Sequence, residues 1–245
     1  MNDFPWRPGS PRRPQPERTA KIPLTRTEIV QAALRIVRAE GIDAVSMRRI
    51  AAEFETGPSS LYAHVANKDE LLQLMFDEMC GSIAVPEPEP GRWKEQIKQL
   101  ARAGYHAMLE HNDLARAGLA TIPTGPNAMR VSDAMLGLML SGGVPPRIAA
   151  WALDRIFLYI TADAYELSIW RANVIAAGSD KATFLEQLSN DLQAYYSELP
   201  AETYPHLTKH AADLVGGTAN DDRFEFGLDL IVEGLARFVP PAENT

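Results

Sequence analysis

Residues 46 to 68, SMRRIAAEFETGPSSLYAHVANK, constrain the fold more than any other stretch, because they spell two short helices joined by a tight turn. In the first, Met47, Ile50, Ala51 and Phe54 recur at i, i+3, i+4 and i+7, one apolar stripe that leaves Arg48 and Arg49 off the core. Ser46 stands where an N-cap belongs. In the second, Gly57 and Pro58 supply a permissive cap and a pre-set first helical residue, and Leu61 and Val65 turn inward. Ser59, Ser60, Tyr62, Ala63 and His64 are left for the outer side. Small and polar side chains at a helix N-terminus suit the groove of a duplex, so the segment reads as a DNA-reading helix-turn-helix.

The flanks extend this unit. Thr25 and Glu28 form a capping box ahead of Ile29, Ala32, Ala33, Ile36 and Val37 on one face, and Gly41 ends that helix. Asn67 with Glu70 opens a fourth helix through Leu72, Met75, Phe76 and Met79. Residues 25 to 66 thus make a three-helix unit. Ahead of it, six prolines and four arginines crowd residues 1 to 24, which cannot bury a core and read as a disordered basic arm. Such an arm is either a solvated tail or one that enters a minor groove.

Beyond the unit, VPEPEPG at 85 to 91 breaks the helical pattern and marks an elbow. Helical periodicity then predicts helices near 92 to 110, 127 to 142, 147 to 177, 181 to 198 and 222 to 238. No alternating pattern of useful length competes, so the fold class is all-α. The last helix carries Phe224, Leu228, Ile231, Leu235 and Phe238 and also Phe226, Leu230 and Val232. Two apolar sides suit either ordinary core or a bundle completed by a second subunit.

A net charge of −8 looks wrong for a nucleic-acid binder until it is divided along the chain. Residues 1 to 68 hold 11 Lys and Arg against 7 Asp and Glu, whereas residues 69 to 245 hold 13 against 25. An acidic body confines phosphate contact to the N-terminal end, although the same charges also serve simply to solvate helices. A single cysteine, Cys80, excludes an internal disulfide and offers no metal-ligand spacing. No run approaches the ~20 apolar residues of a membrane span, and MNDFPWRPGSPRRPQPERTAKIP lacks the apolar run of a signal peptide. A cytoplasmic protein without membrane contact is expected.

Enzymatic constellations are absent from the pattern. His206 and His210 share a helical spacing, but HLTKH lacks the glutamate of a zinc-protease motif. There is no P-loop, dinucleotide fingerprint or nucleophile elbow. The expectation is a protein with no catalytic residues, cofactor or metal.

The stretch from Thr25 to Met79, above all LYAHVANKDELL, resembles the DNA-binding domain of the TetR family of transcriptional regulators. Trp93, ATIPTGP, Tyr165-Glu166 and RFEFGLDLIVEGL resemble the C-terminal domain of its tetracycline-repressor branch. The resemblance implies a DNA-binding domain over 25–80 and a larger helical ligand-binding and dimerisation domain over 81–245. It implies a homodimer that engages a near-palindromic operator and is released by a small-molecule effector. Arg48 then matches the arginine that reaches a base edge, with guanine O6 and N7 as its natural target. Pro58, Ser59, Ser60, Tyr62 and Ala63 match positions that meet bases or adjacent backbone, His64 a packing or phosphate-contacting position, and Lys68 a phosphate contact. Glu55 stands where the family has a left-handed glycine, a position that costs a side chain of order 1 kcal/mol.

The effector side of the resemblance is thinner. The positions matching the family's drug-holding and magnesium-ligating histidines are Ala84 and Gly118, so magnesium-tetracycline is not the expected effector. Candidate pocket residues are Trp93, His106, Thr121, Met129, Phe157, Asp163 and Glu166, with ordinary core packing as the competing reading for the aromatic and Met residues. The expected mechanism is an apolar or amphiphilic molecule that shifts the fourth helix through the elbow and so changes the spacing of the reading helices. The alternative is a helical ligand-binding or protein-interaction module whose helix-turn-helix no longer reads sequence.

Overall fold

Apolar stripes at helical spacing are what the chain has to bury, and it does so with helices alone. The computed structural model describes residues 24–111, 114–120, 123–178, 180–215 and 222–241, and no strand occurs among them. The basic arm up to residue 23 and Thr121 lie outside the described residues. The first helices are α1 (Arg26–Glu40), α2 (Met47–Glu53), α3 (Pro58–Leu61) and α4 (Lys68–Gly81), with a 3-10 turn over Ile42–Ala44 between α1 and α2. The body adds α5 (Trp93–Glu110), α6 (Leu114–Ala120), α7 (Pro126–Ser141) and α8 (Pro146–Ala177). The chain continues through α9 (Lys181–Ser197), α10 (Pro205–Lys209), α11 (Ala211–Val215) and α12 (Asp222–Ala236).

The expected caps form. Thr25, Ser46 and Asn67 each accept from the backbone N–H three residues on, at 3.1, 3.1 and 2.8 Å. Glu70 also reaches back to the N–H of Ala66 at 2.5 Å, so α4 is capped from both directions. Below these caps Ile29, Ala33, Ile50, Ala51, Leu61, Leu71 and Met75 are completely buried. Truncating a fully buried leucine such as Leu61 removes about 2–5 kcal/mol.

Three elements went unforeseen in the sequence. Helix α6 is built on Leu114, Ala115 and Ala117, small residues that give a weak periodic signal yet lie buried between α4 and α8. Helices α10 and α11 are each 5 residues long, too short to show a period. They pack chiefly on α9, so residues 181–215 form a helical hairpin that touches the body through α8. Helix α3 is also shorter than the expected second helix, although the chain stays coiled beyond it, with the N–H groups of His64 and Val65 both donating to the Leu61 carbonyl.

Helices α5 and α12 are joined by a ladder of ion pairs. Lys94 meets Glu233 at 2.6 Å, Lys98 meets Asp229 at 2.7 Å and Arg102 grips Glu225 at 2.6 and 2.7 Å. Each rung rises four residues on one helix and falls four on the other, which fixes an antiparallel register. Behind the ladder, the Phe224 ring stacks on Tyr105 at 4.0 Å and on Tyr159 at 5.5 Å, tying α12 to α5 and α8. The Tyr159 hydroxyl donates to the Phe224 carbonyl at 2.8 Å, and burial pushes its pKa up to about 12.

Candidate nucleic-acid interface and effector-bearing body

The turn between α2 and α3 decides what the head presents. Glu55 sits at φ 51, the left-handed region where a side chain meets its own carbonyl. Paying that strain lets Gly57 and Pro58 begin α3 with Ser59, Tyr62 and Ala63 exposed and Pro58, Ser60 and His64 half-buried. Ser60 is engaged by Thr56, whose hydroxyl donates to it at 2.9 Å. The His64 carbonyl accepts from Arg26 Nε at 3.0 Å, which anchors the end of the reading segment to α1. Lys68 is exposed at the first position of α4.

Two neighbouring arginines have opposite circumstances. Arg49 is held by Glu40 at 2.8 Å and by Glu53, and these carboxylates push its pKa further up. Arg48 is exposed and makes no ion pair among the described residues. One guanidinium thus braces α2, while the other is available to an outside acceptor. Periodicity alone cannot separate such neighbours; the acids at Glu40 and Glu53 do.

The head joins the body through contacts that were not foreseen. Arg38 of α1 approaches Nδ1 of His111 at 3.3 Å, and Arg116 of α6 meets Asp43 at 2.9 Å. His111 is buried, and burial with the Arg38 charge pushes its pKa below the ordinary range. The elbow over 85 to 91 is not loose. Gln96, buried in α5, donates to the Glu87 carbonyl at 2.5 Å and accepts from the Glu89 N–H at 2.9 Å. Both ends of one amide side chain therefore pin the segment expected to flex.

The candidate pocket residues fall at separate places. Trp93 is buried at the start of α5 against Gly142, and Phe157 packs edge-on to Phe76 of α4 at 6.1 Å. His106 and Met129 are exposed on α5 and α7. Asp163 and Glu166 both face Arg223 of α12, Glu166 in direct contact and Asp163 at 4.0 Å. A small pocket between α4 and the start of α7 is lined by Gln73, Phe76, Asp77, Pro123, Thr124, Gly125 and Ala128, none of them a pocket residue expected from the sequence.

The residues present do not fit a magnesium site. A Cβ at Gly118 would stand 2.7 Å from the Phe76 ring, so any side chain there would have to displace that ring, and Ala84 is exposed past the end of α4. Glu166 is committed to Arg223, and among the described residues no three His, Cys, Asp or Glu side chains cluster as metal ligands.

On the outside, α8 shows Trp151, Leu158 and Ile169 to solvent, and α12 shows Phe226 and Leu230, the first 64% exposed, with Phe238 exposed just past its end. The two exposed α12 residues are four positions apart, and the buried Phe224, Leu228, Val232 and Leu235 make up its other side. The two-sided helix read from the sequence thus has one side in the core and one side bare. Among the described residues no helix is long and apolar enough to cross a membrane.

Comparison with known proteins places these features. Residues 29–75 match the model of bacterial regulatory proteins of the tetR family, and residues 85–239 match the tetracyclin repressor-like C-terminal domain. The chain is similar to the HTH-type transcriptional repressor DrrR1 of Streptomyces coeruleorubidus, 29% identical over 90% of this chain and 80% of that one. It is similar in structure to ActR of Streptomyces coelicolor in its apo form, with a TM-score of 0.78 and 42% identity over 90% of this chain and 98% of that one. The ActR complex with actinorhodin gives a TM-score of 0.79 and 41% identity over 90% and 99%. With an exposed reading helix on a head bolted to a helical body, and with both halves matched, the chain belongs to the TetR family of ligand-responsive, DNA-binding transcriptional regulators.

Proposed function

We propose that the chain acts in the cytoplasm as a homodimeric repressor, without catalytic activity, that holds a near-palindromic operator until a small molecule releases it. The reading head spans 25–80 and the regulatory body 81–245. The observation that carries this reading is that Arg48 of α2, Ser59, Tyr62 and Ala63 of the reading segment and Lys68 of α4 are all exposed, with no ion pair at Arg48 among the described residues. Arg48 takes a guanine edge. Pro58, Ser59, Ser60, Tyr62 and Ala63 meet bases and adjoining backbone, and Lys68 and His64 meet phosphate.

The exposed stripes of α8 and α12 support dimerisation, since apolar side chains at helical spacing on two adjacent helices fit a four-helix contact with a second copy. Two heads about one helical turn apart, ~34 Å, engage successive major grooves. An effector that prefers another separation lowers operator affinity by linkage.

The effector belongs among helices α5 to α8, with Phe157, Asp163 and Glu166 nearest to the α8 and α12 contacts it would disturb. Actinorhodin, bound by the similar ActR, is the first compound to try. A ligand at a hundred times its dissociation constant adds about 2.7 kcal/mol to native stability. Thermal-shift titration with actinorhodin, followed by release of the selected operator, tests this; a compound that raises Tm yet leaves the operator bound contradicts the proposed release.

A further inference from the structure

Helix α7 lacks an N-terminal side-chain cap of its own and takes one from α4, and in return it braces the C-terminal end of α4. Helix α7 begins after Gly125 with no side-chain cap. Asp77 of α4 fills the place: its Oδ1 accepts from the Ala128 N–H at 2.9 Å and its Oδ2 from the Asn127 amide at 3.2 Å. A Cβ at Gly125 would collide with the Asp77 carboxylate, so glycine is what lets the acid in. In return Arg130 of α7 donates from Nη2 to the Cys80 and Ile83 carbonyls, both at 3.0 Å, at the C-terminal end of α4. The signs suit both helices, an anion at an N-terminus and a cation at a C-terminus.

We propose that Asp77 and Arg130 are positioning residues: together they form a reciprocal capping latch that fixes the orientation of α4 on α7 and so the placement of the reading head on DNA. Helix α4 is 14 residues long, a lever of ~21 Å with the latch at one end and Lys68 at the other. Any tilt at the latch displaces the DNA-facing end. The elbow offers no competing hinge, being pinned by Gln96. Movement of α7 therefore reaches the head through this joint, and the proposal rests on the DNA-reading conclusion above.

The latch contains its own reporter. Cys80, the chain's only cysteine, is buried beside it, with its pKa pushed up to about 12 by burial and by the Asp77 charge. Removing Arg130 takes away a charge that lowers this pKa, so faster reaction of the thiol in Arg130→Ala reports physical opening rather than easier ionisation.

The test uses the full chain and three variants, Asp77→Ala, Asp77→Asn and Arg130→Ala, at a temperature far below Tm. If freed α4 spends about one-tenth of its time in the competent orientation, operator affinity falls about tenfold in both alanine variants. The salt dependence stays unchanged, because no phosphate contact is lost. Asp77→Asn, which keeps an acceptor for the Ala128 N–H, binds like wild type. The Cys80 thiol of Arg130→Ala reacts at least about tenfold faster with an aromatic disulfide reagent, in line with the same opening. A merely structural role lowers Tm without these changes. Operator affinity within about twofold of wild type in either alanine variant overturns the proposal, and so does a thiol in Arg130→Ala that reacts no faster. Should wild-type protein select no duplex, the DNA-reading conclusion fails, and the latch stands or falls on the thiol alone.

Discussion

At the scale of single residues, the head separates side chains that hold it together from side chains it holds out. Arg48 is the one of an adjacent pair left without an acid among the described residues, and replacing it by alanine should cost about 1–3 kcal/mol of operator binding and relax preference at one base pair. A panel of singly substituted duplexes reads this directly; an unchanged preference profile removes Arg48 from the readout. Arg49→Ala should leave that profile alone, because its guanidinium is spent on Glu40 and Glu53. Glu55 carries the opposite signature, a side chain at φ 51. Glu55→Gly should relieve about 1 kcal/mol of strain and raise Tm by about 2–4 °C. A lowered Tm would mean that the Glu55 side chain makes a compensating contact.

Among the helices, the joints matter more than the helices themselves. The joint of Arg38 with His111 makes the head-to-body contact sensitive to acid. The folded state disfavours the charged imidazole, so the unfolded chain binds its proton more readily. This contribution to stability is whole above the ordinary value of 6.5 and is lost as pH falls below it. His111→Gln keeps an acceptor for Arg38 and does not titrate, so its Tm should fall less than that of wild type between pH of about 7.5 and about 5.5. Parallel losses in the two proteins would contradict the assignment. Glu225, whose pKa is lowered by hydrogen bonds from Arg102, acts in the same sense further down, losing its contribution only as pH drops below the usual glutamate range.

These joints also mark where the sequence stopped being legible. Helices α1, α2, α4, α5, α7, α8 and α12 show in the chain because each buries an apolar stripe, and α1, α2 and α4 also carry a local cap. Ser46 and Asn67 lie three residues from the groups they cap, so spacing reveals them. Asp77 caps a helix fifty residues away, and no spacing rule finds it. The clue was negative: Gly125-Pro126 opens a helix without a capping side chain. The pocket residues failed for a related reason. Aromatic and acidic side chains on α5 to α8 looked interchangeable in sequence, and only their partners, Gly142 for Trp93 and Arg223 for Asp163 and Glu166, tell them apart.

For the whole molecule, the bare stripes on α8 and α12 carry the assembly. Phe226 is 64% exposed and is not one of the residues that build the subunit's core. Phe226→Asp should therefore leave helix content intact while removing about 1.5–3 kcal/mol of apolar burial per subunit. Sedimentation at micromolar concentration should find folded monomers, and a dimer as stable as wild type would place the contact elsewhere. Charge is divided at the same scale, net positive over residues 1 to 68 and strongly negative over residues 69 to 245, so phosphate is drawn toward the N-terminal part of the chain. The most direct measurement is selection of duplexes from a random-sequence pool at low salt, followed by the salt dependence of affinity for the winner. The account predicts a near-palindrome with half-sites about one helical turn apart, bound with an affinity that falls steeply as salt rises. A pool that shows no enrichment, or a selected duplex whose affinity ignores salt, would contradict it.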